Sequence, residues 1–237
     1  MATSGTHAFN LDTAEIIQEA YERVGFDVKS GYDLVTARRS LNIILTKWVN
    51  EGVNLFTITS HIINLTKDSP TATLEASQFL DILDASVRDT NSSPVSDVNC
   101  ERISLSDYLN YTTKTTSGKP VQFTVERNSQ FKAAGANTHT IYLWPVPDQT
   151  YYQLNTWAIR YPQDVNDTYT ENPDIPRRYL PALISALAVE LANKNPAKVD
   201  GARRAELKAM YEQEWQYAKE EDRERASFYI RPKIRGY

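Results

Sequence analysis

Histidine and cysteine, the residues that most often carry metal and nucleophile chemistry, are scarce in this chain. His7, His61 and His139 are the only imidazoles and Cys100 the only thiol. None stands at metal-ligand spacing, so these residue types assign no metal site and no cofactor. His61 falls in a β-type run and reads as a surface or core-edge residue. No nucleophile elbow, phosphate loop or dinucleotide fingerprint occurs, and eight glycines leave little for a phosphate cradle. Carboxylates are plentiful where strands are expected: Asp81, Asp84, Asp89, Glu101, Glu126, Asp148 and Asp164. Two of them across a sugar would make a cell-wall glycosidase, the alternative of a different class. Acidic residues beside strands and turns are ordinarily solvated, however, and no pair stands out. Tyr142, Trp144, Tyr151, Tyr152, Trp157 and Tyr161 would suit a sugar or base platform, but alternating aromatics in a β domain are more often packing. The residue types therefore predict a non-enzyme with no catalytic residues.

Charge directs attention to the end of the chain. The protein carries a formal net charge of −4, without the basic footprint of a nucleic-acid module. The final "SFYIRPKIRGY" holds Arg231, Lys233 and Arg235 and no acidic residue, straight after "AKEEDRERA"; without those three cations the chain stands at −7. Ordering the last dozen residues costs about 12 to 24 kcal/mol. Burying Phe228, Tyr229 and Tyr237 returns about 11 to 19 kcal/mol. Such a segment gains order only if nearly all three rings are covered, which predicts a cleft on another protein, with the basic residues steering it to an acidic rim. The docking residues predicted are Phe228, Tyr229, Ile230, Arg231, Lys233, Ile234, Arg235 and Tyr237.

The elements that hold this segment are helical at both ends of the chain and β-rich between. "LDTAEIIQEAYERVG" puts Ile16, Ile17, Ala20 and Val24 on one stripe, with Asp12 and Glu15 as a capping box and Gly25 as the stop. From Asp33 to about Asn50, Leu34, Ala37, Leu41, Ile44, Leu45 and Trp48 recur at helical spacing, and a short connection makes the two helices an antiparallel pair. "NLFTITSHIINL", "FLDILDASVRD", "VQFTVER", "TIYLWPVPD" and "YYQLNTWAIRYP" read as strands, the last two as a hairpin turning at Pro145 and Pro147; residues 94–118 are looser, with a short helix near Leu105 to Tyr111. "DIPRRYLPALISALAVELANKN" is the most apolar helix. A more polar one runs from about Lys198 to Arg225, with Leu207, Met210, Tyr211, Trp215 and Ala218 as its stripe. The expected fold is α+β: an antiparallel helical bundle from both chain ends (1–52 and 172–225), an inserted sandwich- or barrel-like β domain (53–171) and an extended tail (226–237).

One cysteine excludes an internal disulfide framework, and no apolar run is long enough to cross a bilayer. "MATSGTHAFNLD" lacks the basic and apolar regions of an export signal, so the expectation is a chain made and kept in the cytoplasm, without membrane contact.

The order "ARRSLNIILTKWVNEGVNLF", "IYLWPVPD", "DIPRRYLPALISALAVELA", "YEQEWQYAKEEDRER" and a short basic end resembles the head-to-tail adaptor proteins of short-tailed bacteriophages over nearly the entire chain. The resemblance implies a virion protein at the portal-tail junction, assembled in the host cytoplasm: twelve copies in a ring beneath the portal, the C-terminal segment reaching into the portal, and a nozzle or fibre protein below. DNA would pass through without being read, as suits an acidic body. A tail-tube or nozzle component is the nearest alternative. A ring of head-to-tail contacts needs two complementary faces; Arg38 and Arg39 on the second helix, with Arg203, Arg204, Tyr211 and Trp215 on the last, are the predicted subunit contacts.

Overall fold

Asp12 caps the first helix of the computed structural model, which describes residues 5–7, 9–28, 30–52, 55–128 and 137–220. The elements in order are α1 (Thr13–Val24), α2 (Gly31–Asn50), β1 (Ile58–Asn64), β2 (Thr71–Glu75), β3 (Phe79–Asp89), β4 (Ser96–Arg102), α3 (Leu105–Leu109), β5 (Ser117–Gly118), β6 (Gln122–Glu126), β7 (Thr138–Trp144), β8 (Val146–Pro147), β9 (Tyr152–Arg160), α4 (Leu180–Lys194) and α5 (Gly201–Glu220). They divide into two compact units, one within Met1–Phe56 and Gln163–Tyr237, the other Thr57–Pro162.

In the helical unit, the capping box of α1 is complete: the Glu15 N–H donates to Asp12 Oδ1 at 2.8 Å and the Asp12 N–H to Glu15 Oε2 at 3.0 Å. Gly25 ends the helix at φ 90°, a left-handed backbone that glycine adopts without strain. Helix α2 starts slightly earlier than its apolar pattern indicates, because Ser30 is the cap and Asp33 its box partner. Helix α4 buries residues around nearly its whole circumference, as a helix with neighbours on several sides must, and it packs against α1, α2 and α5. One apolar core joins Ile16, Ala20, Leu41, Ile44, Trp48, Leu183, Leu187, Leu207 and Trp215.

The other unit is a seven-stranded sheet in the order β1-β9-β3-β4-β6-β7-β2. Neighbours are antiparallel except β4 and β6, which run parallel. The edge strands β1 and β2 touch, so the sheet nearly closes into a barrel and loses most of its free edge. Alternate residues turn inward, as in β7, where His139, Ile141 and Leu143 are buried between partly exposed neighbours. Leu74, Ile82, Val87, Phe123, Val125, Ile141, Leu143 and Leu154 fill the interior.

The hairpin expected at Pro145 and Pro147 does not form. Strand β7 pairs with β6 and β2, whereas β9 pairs with β1 and β3. Val146 and Pro147 pair instead with Ser117 and Gly118 in a separate two-stranded ribbon, which carries the chain off the edge of β7 before it re-enters the sheet.

Candidate functional site

The inner seam between α2 and α5 is aromatic. Trp48 and Trp215 stack with ring centroids 4.5 Å apart and planes at 16°, and Tyr179 tilts against Trp48 at 5.8 Å. Each indole nitrogen has a partner: Trp48 Nε1 donates to the Tyr211 hydroxyl at 3.3 Å and Trp215 Nε1 to Glu51 Oε2 at 2.7 Å. Lys219 sits over the Trp215 ring, 5.5 Å from Nζ to centroid. Burial pushes the Tyr211 phenol above its ordinary range. Tyr211 and Trp215, predicted to meet a neighbouring subunit, are therefore committed within their own unit: Trp215 is only 6% exposed. The reason is helical phase, since both lie on the stripe of Leu207 and Ala218 that faces the core. Met210, placed on that stripe from the sequence, lies off it and is exposed.

The predicted arginines divide. Arg203 donates to the Arg23 carbonyl at 2.7 Å and pairs with Glu206 at 2.6 Å, and Arg204 is half-buried on the same helix. Arg38 and Arg39 instead line an open groove of about 620 Å³ on the outer side of α2. Its other lining includes Val35, Ile43 and Lys47, with Asp164, Val165 and Asn166 as the opposite wall. Neither Arg38 nor Arg39 forms an ion pair among the described residues. Val35 and Ile43 are 39% and 47% exposed, and Tyr32 extends the same outer stripe.

Helix α5 has a matching outer stripe that the sequence reading missed. Met210 and Tyr217 are 39% and 57% exposed, with Glu206, Gln213 and Glu220 also exposed along the same line. The signal was available in the interval between Met210 and Tyr217: seven residues return a helix to nearly the same side, a different side from that of Leu207, Trp215 and Ala218.

Most of the candidate enzymatic groups are engaged with neighbouring residues. His139 is buried: its Nδ1 accepts the Asn128 N–H at 3.0 Å, leaving Nε2 to donate to the Phe79 carbonyl at 2.8 Å. The His61 ring packs against Phe79 at 4.6 Å, and the exposed His7 offers its carbonyl to Arg177. Asp81 pairs with Arg102 at 3.0 Å, Asp89 holds the turn at Asn91 and Ser92, Glu101 meets Gln122, and Glu126 accepts from the Tyr142 hydroxyl. Asp84 lies in a shallow groove on the sheet beside Trp157, Asp148 lies beside Tyr152, and Asp164 belongs to the helical unit. Among the described residues no cluster of His, Cys, Asp and Glu is arranged for a metal. Tyr142 packs on Tyr108 and Trp144 stacks on Tyr111 at 4.5 Å, so these aromatics serve packing. Cys100 is buried in the barrel interior, which raises its thiol to about 12. No described helix is long and apolar enough to cross a membrane. Phe228, Tyr229, Ile230, Arg231, Lys233, Ile234, Arg235 and Tyr237 lie outside the described residues.

A family model described as SU10 adaptor protein matches residues 12–235. No curated protein matches the chain.

Proposed function

The chain belongs to the SU10 adaptor protein family, a family of phage adaptors that are structural virion components, and on that premise we propose that it forms a ring joining the portal to the tail. The ring, of twelve copies, continues the DNA channel at the portal-tail junction and is assembled in the host cytoplasm. DNA passes through without sequence recognition, in keeping with a net charge of −4 that repels phosphate. Phe228, Tyr229, Ile230, Arg231, Lys233, Ile234, Arg235 and Tyr237 dock in the portal, and a nozzle or fibre protein binds below.

The observation that carries this reading is the family match from residue 12, where the cap of α1 sits, to residue 235, within the basic segment. Both compact units and most of the proposed docking segment thus belong to one adaptor module. Every buried residue described for either core lies before residue 221, so deleting residues 226–237 leaves those cores whole. The truncated protein should therefore keep its thermal transition and lose binding to purified portal. Portal binding at native affinity after the deletion would remove the docking assignment.

A further inference from the structure

We infer that the outer groove of α2 on one subunit receives the outer stripe of α5 from the next subunit, and that this single repeated contact builds the ring. The inference rests on the ring reading above and specifies the faces that make it. Helix α5 has apolar residues on two sides. Leu207, Trp215 and Ala218 point into the core, while Met210 and Tyr217 point to solvent, and a helix with a second apolar stripe is built for a second neighbour. Helix α2 repeats the pattern: Ala37, Leu41, Ile44 and Trp48 are buried, and Tyr32, Val35 and Ile43 form an exposed stripe on the opposite side.

The two outer stripes match in spacing and in charge. Met210 and Tyr217 stand about 10.5 Å apart along their axis and Val35 and Ile43 about 12 Å apart, from a rise of about 1.5 Å per residue. Arg38 and Arg39 bring positive charge with no ion pair among the described residues to the groove, whereas Glu220 stands at the end of the α5 stripe; Glu206, at its other end, already pairs with Arg203. Among the described residues Glu220 takes a hydrogen bond from the neutral Gln216, so its charge is available to an arginine. Both stripes lie on the sides of their helices turned away from the core that α2 and α5 share, so a molecule cannot fill its own groove. A second copy can. Because the two faces have no residue in common, the contact is heterologous, leaves each bound subunit with one open face, and propagates until the ring closes. Tyrosine and methionine set in a basic groove also fit the composition of interface centres.

Two variants test this in the full-length protein. Arg39→Glu with Ile43→Asp spoils the groove and leaves the stripe; Met210→Asp with Tyr217→Asp spoils the stripe and leaves the groove. All four positions are exposed, so both variants should fold with the wild-type far-ultraviolet circular dichroism and a cooperative melt, even though loss of the ring shifts its midpoint. Sedimentation and electron microscopy should show rings for the wild type, alone or on portal, and monomers for each variant alone. An equimolar mixture should give one-to-one dimers that grow no further, a gain of association that unfolded protein cannot mimic. Rings from either variant, or no association in the mixture, would overturn the face assignment while leaving the ring intact. A wild type that makes no ring in either setting would overturn the ring and this contact together.

Discussion

Asn42 grips the backbone of Val165 with both ends of its side-chain amide: Oδ1 accepts the Val165 N–H at 2.8 Å and Nδ2 donates to the Val165 carbonyl at 3.2 Å. A single side chain thereby does for an irregular segment what a strand partner does in a sheet. The Val165 side chain is buried in the helical core, so the segment is fixed from two directions. A few residues on, the carbonyls of Tyr169 and Glu171 accept the N–H groups of Ala14 and Thr13 at 3.0 Å each, supplying partners for the open first turn of α1. The stretch from 163 to 171 has no regular structure, yet it ties α1 to α2 and forms the second wall of the α2 groove.

Replacing Asn42 by alanine should leave the Val165 N–H and carbonyl without that partner. The expected loss is about 1 to 3 kcal/mol, the cost of unsatisfied buried polar groups. Asn42→Asp retains the acceptor and lacks the donor, so it should fall between wild type and Asn42→Ala. Urea denaturation gives the order of the three, and hydrogen exchange should show faster protection loss at the Val165 amide in the alanine variant. Equal midpoints for all three with unchanged exchange would show that the amide does not hold the segment.

The orientation of α5 makes a second prediction. Trp215 stacks on Trp48 at 4.5 Å and is buried, so Trp215→Ala should cost about 3 to 5 kcal/mol through the cavity it opens. Trp215→Phe keeps an aromatic ring but cannot donate to Glu51, and should cost about 1 kcal/mol for the missing hydrogen bond beyond the change in volume. Tyr217→Ala, only two residues along the same helix, should stay within about 0.5 kcal/mol because its ring faces solvent. Chemical denaturation of the monomeric protein decides the matter. A Tyr217→Ala variant as unstable as Trp215→Ala would mean that the helix is rotated from the arrangement described.

What could be read in advance follows from how local each signal is. The capping box at Asp12 and Glu15, the stop at Gly25 and the buried stripe of α2 depend on residues within a turn or two, and the structure forms each of them. Strand β4 was missed because "SDVNCER" buries only Cys100, so no alternation marks it; it is held by neighbours on both sides, antiparallel to β3 and briefly parallel to β6. Strand β2, "TATLE", is too short to stand out beside the turn residues before it. The role of 163–171 was hidden for a different reason: the donors it satisfies at Thr13 and Ala14 lie more than 150 residues away in sequence. In α5 the apolar residues were visible but their division between two sides was not, because a mostly polar helix gives little hint of which stripe meets the core.

Alkaline pH should probe the barrel through Tyr152. Its phenol, buried in the interior cluster on β9, is pushed up to about 12, first by burial and then by the negative charge of Asp148. An unfolded tyrosine ionises near pH 10. Below that value the phenol is neutral in both states and adds no pH dependence. Between about 10 and 12 the unfolded chain gives up a proton that the folded chain retains, so the unfolded state gains and stability falls with rising pH across that window. Tyr108, Tyr142 and Tyr211 are raised as well, so the wild-type curve alone combines several groups. Tyr152→Phe isolates one of them: the variant should start less stable or equal at pH 9 and then lose stability less steeply than the wild type between pH 10 and 11.5. Urea midpoints measured for both proteins across this range give the two slopes. If they run parallel, the Tyr152 phenol titrates as freely in the folded chain as in the unfolded one, and the barrel interior around β9 is open to water.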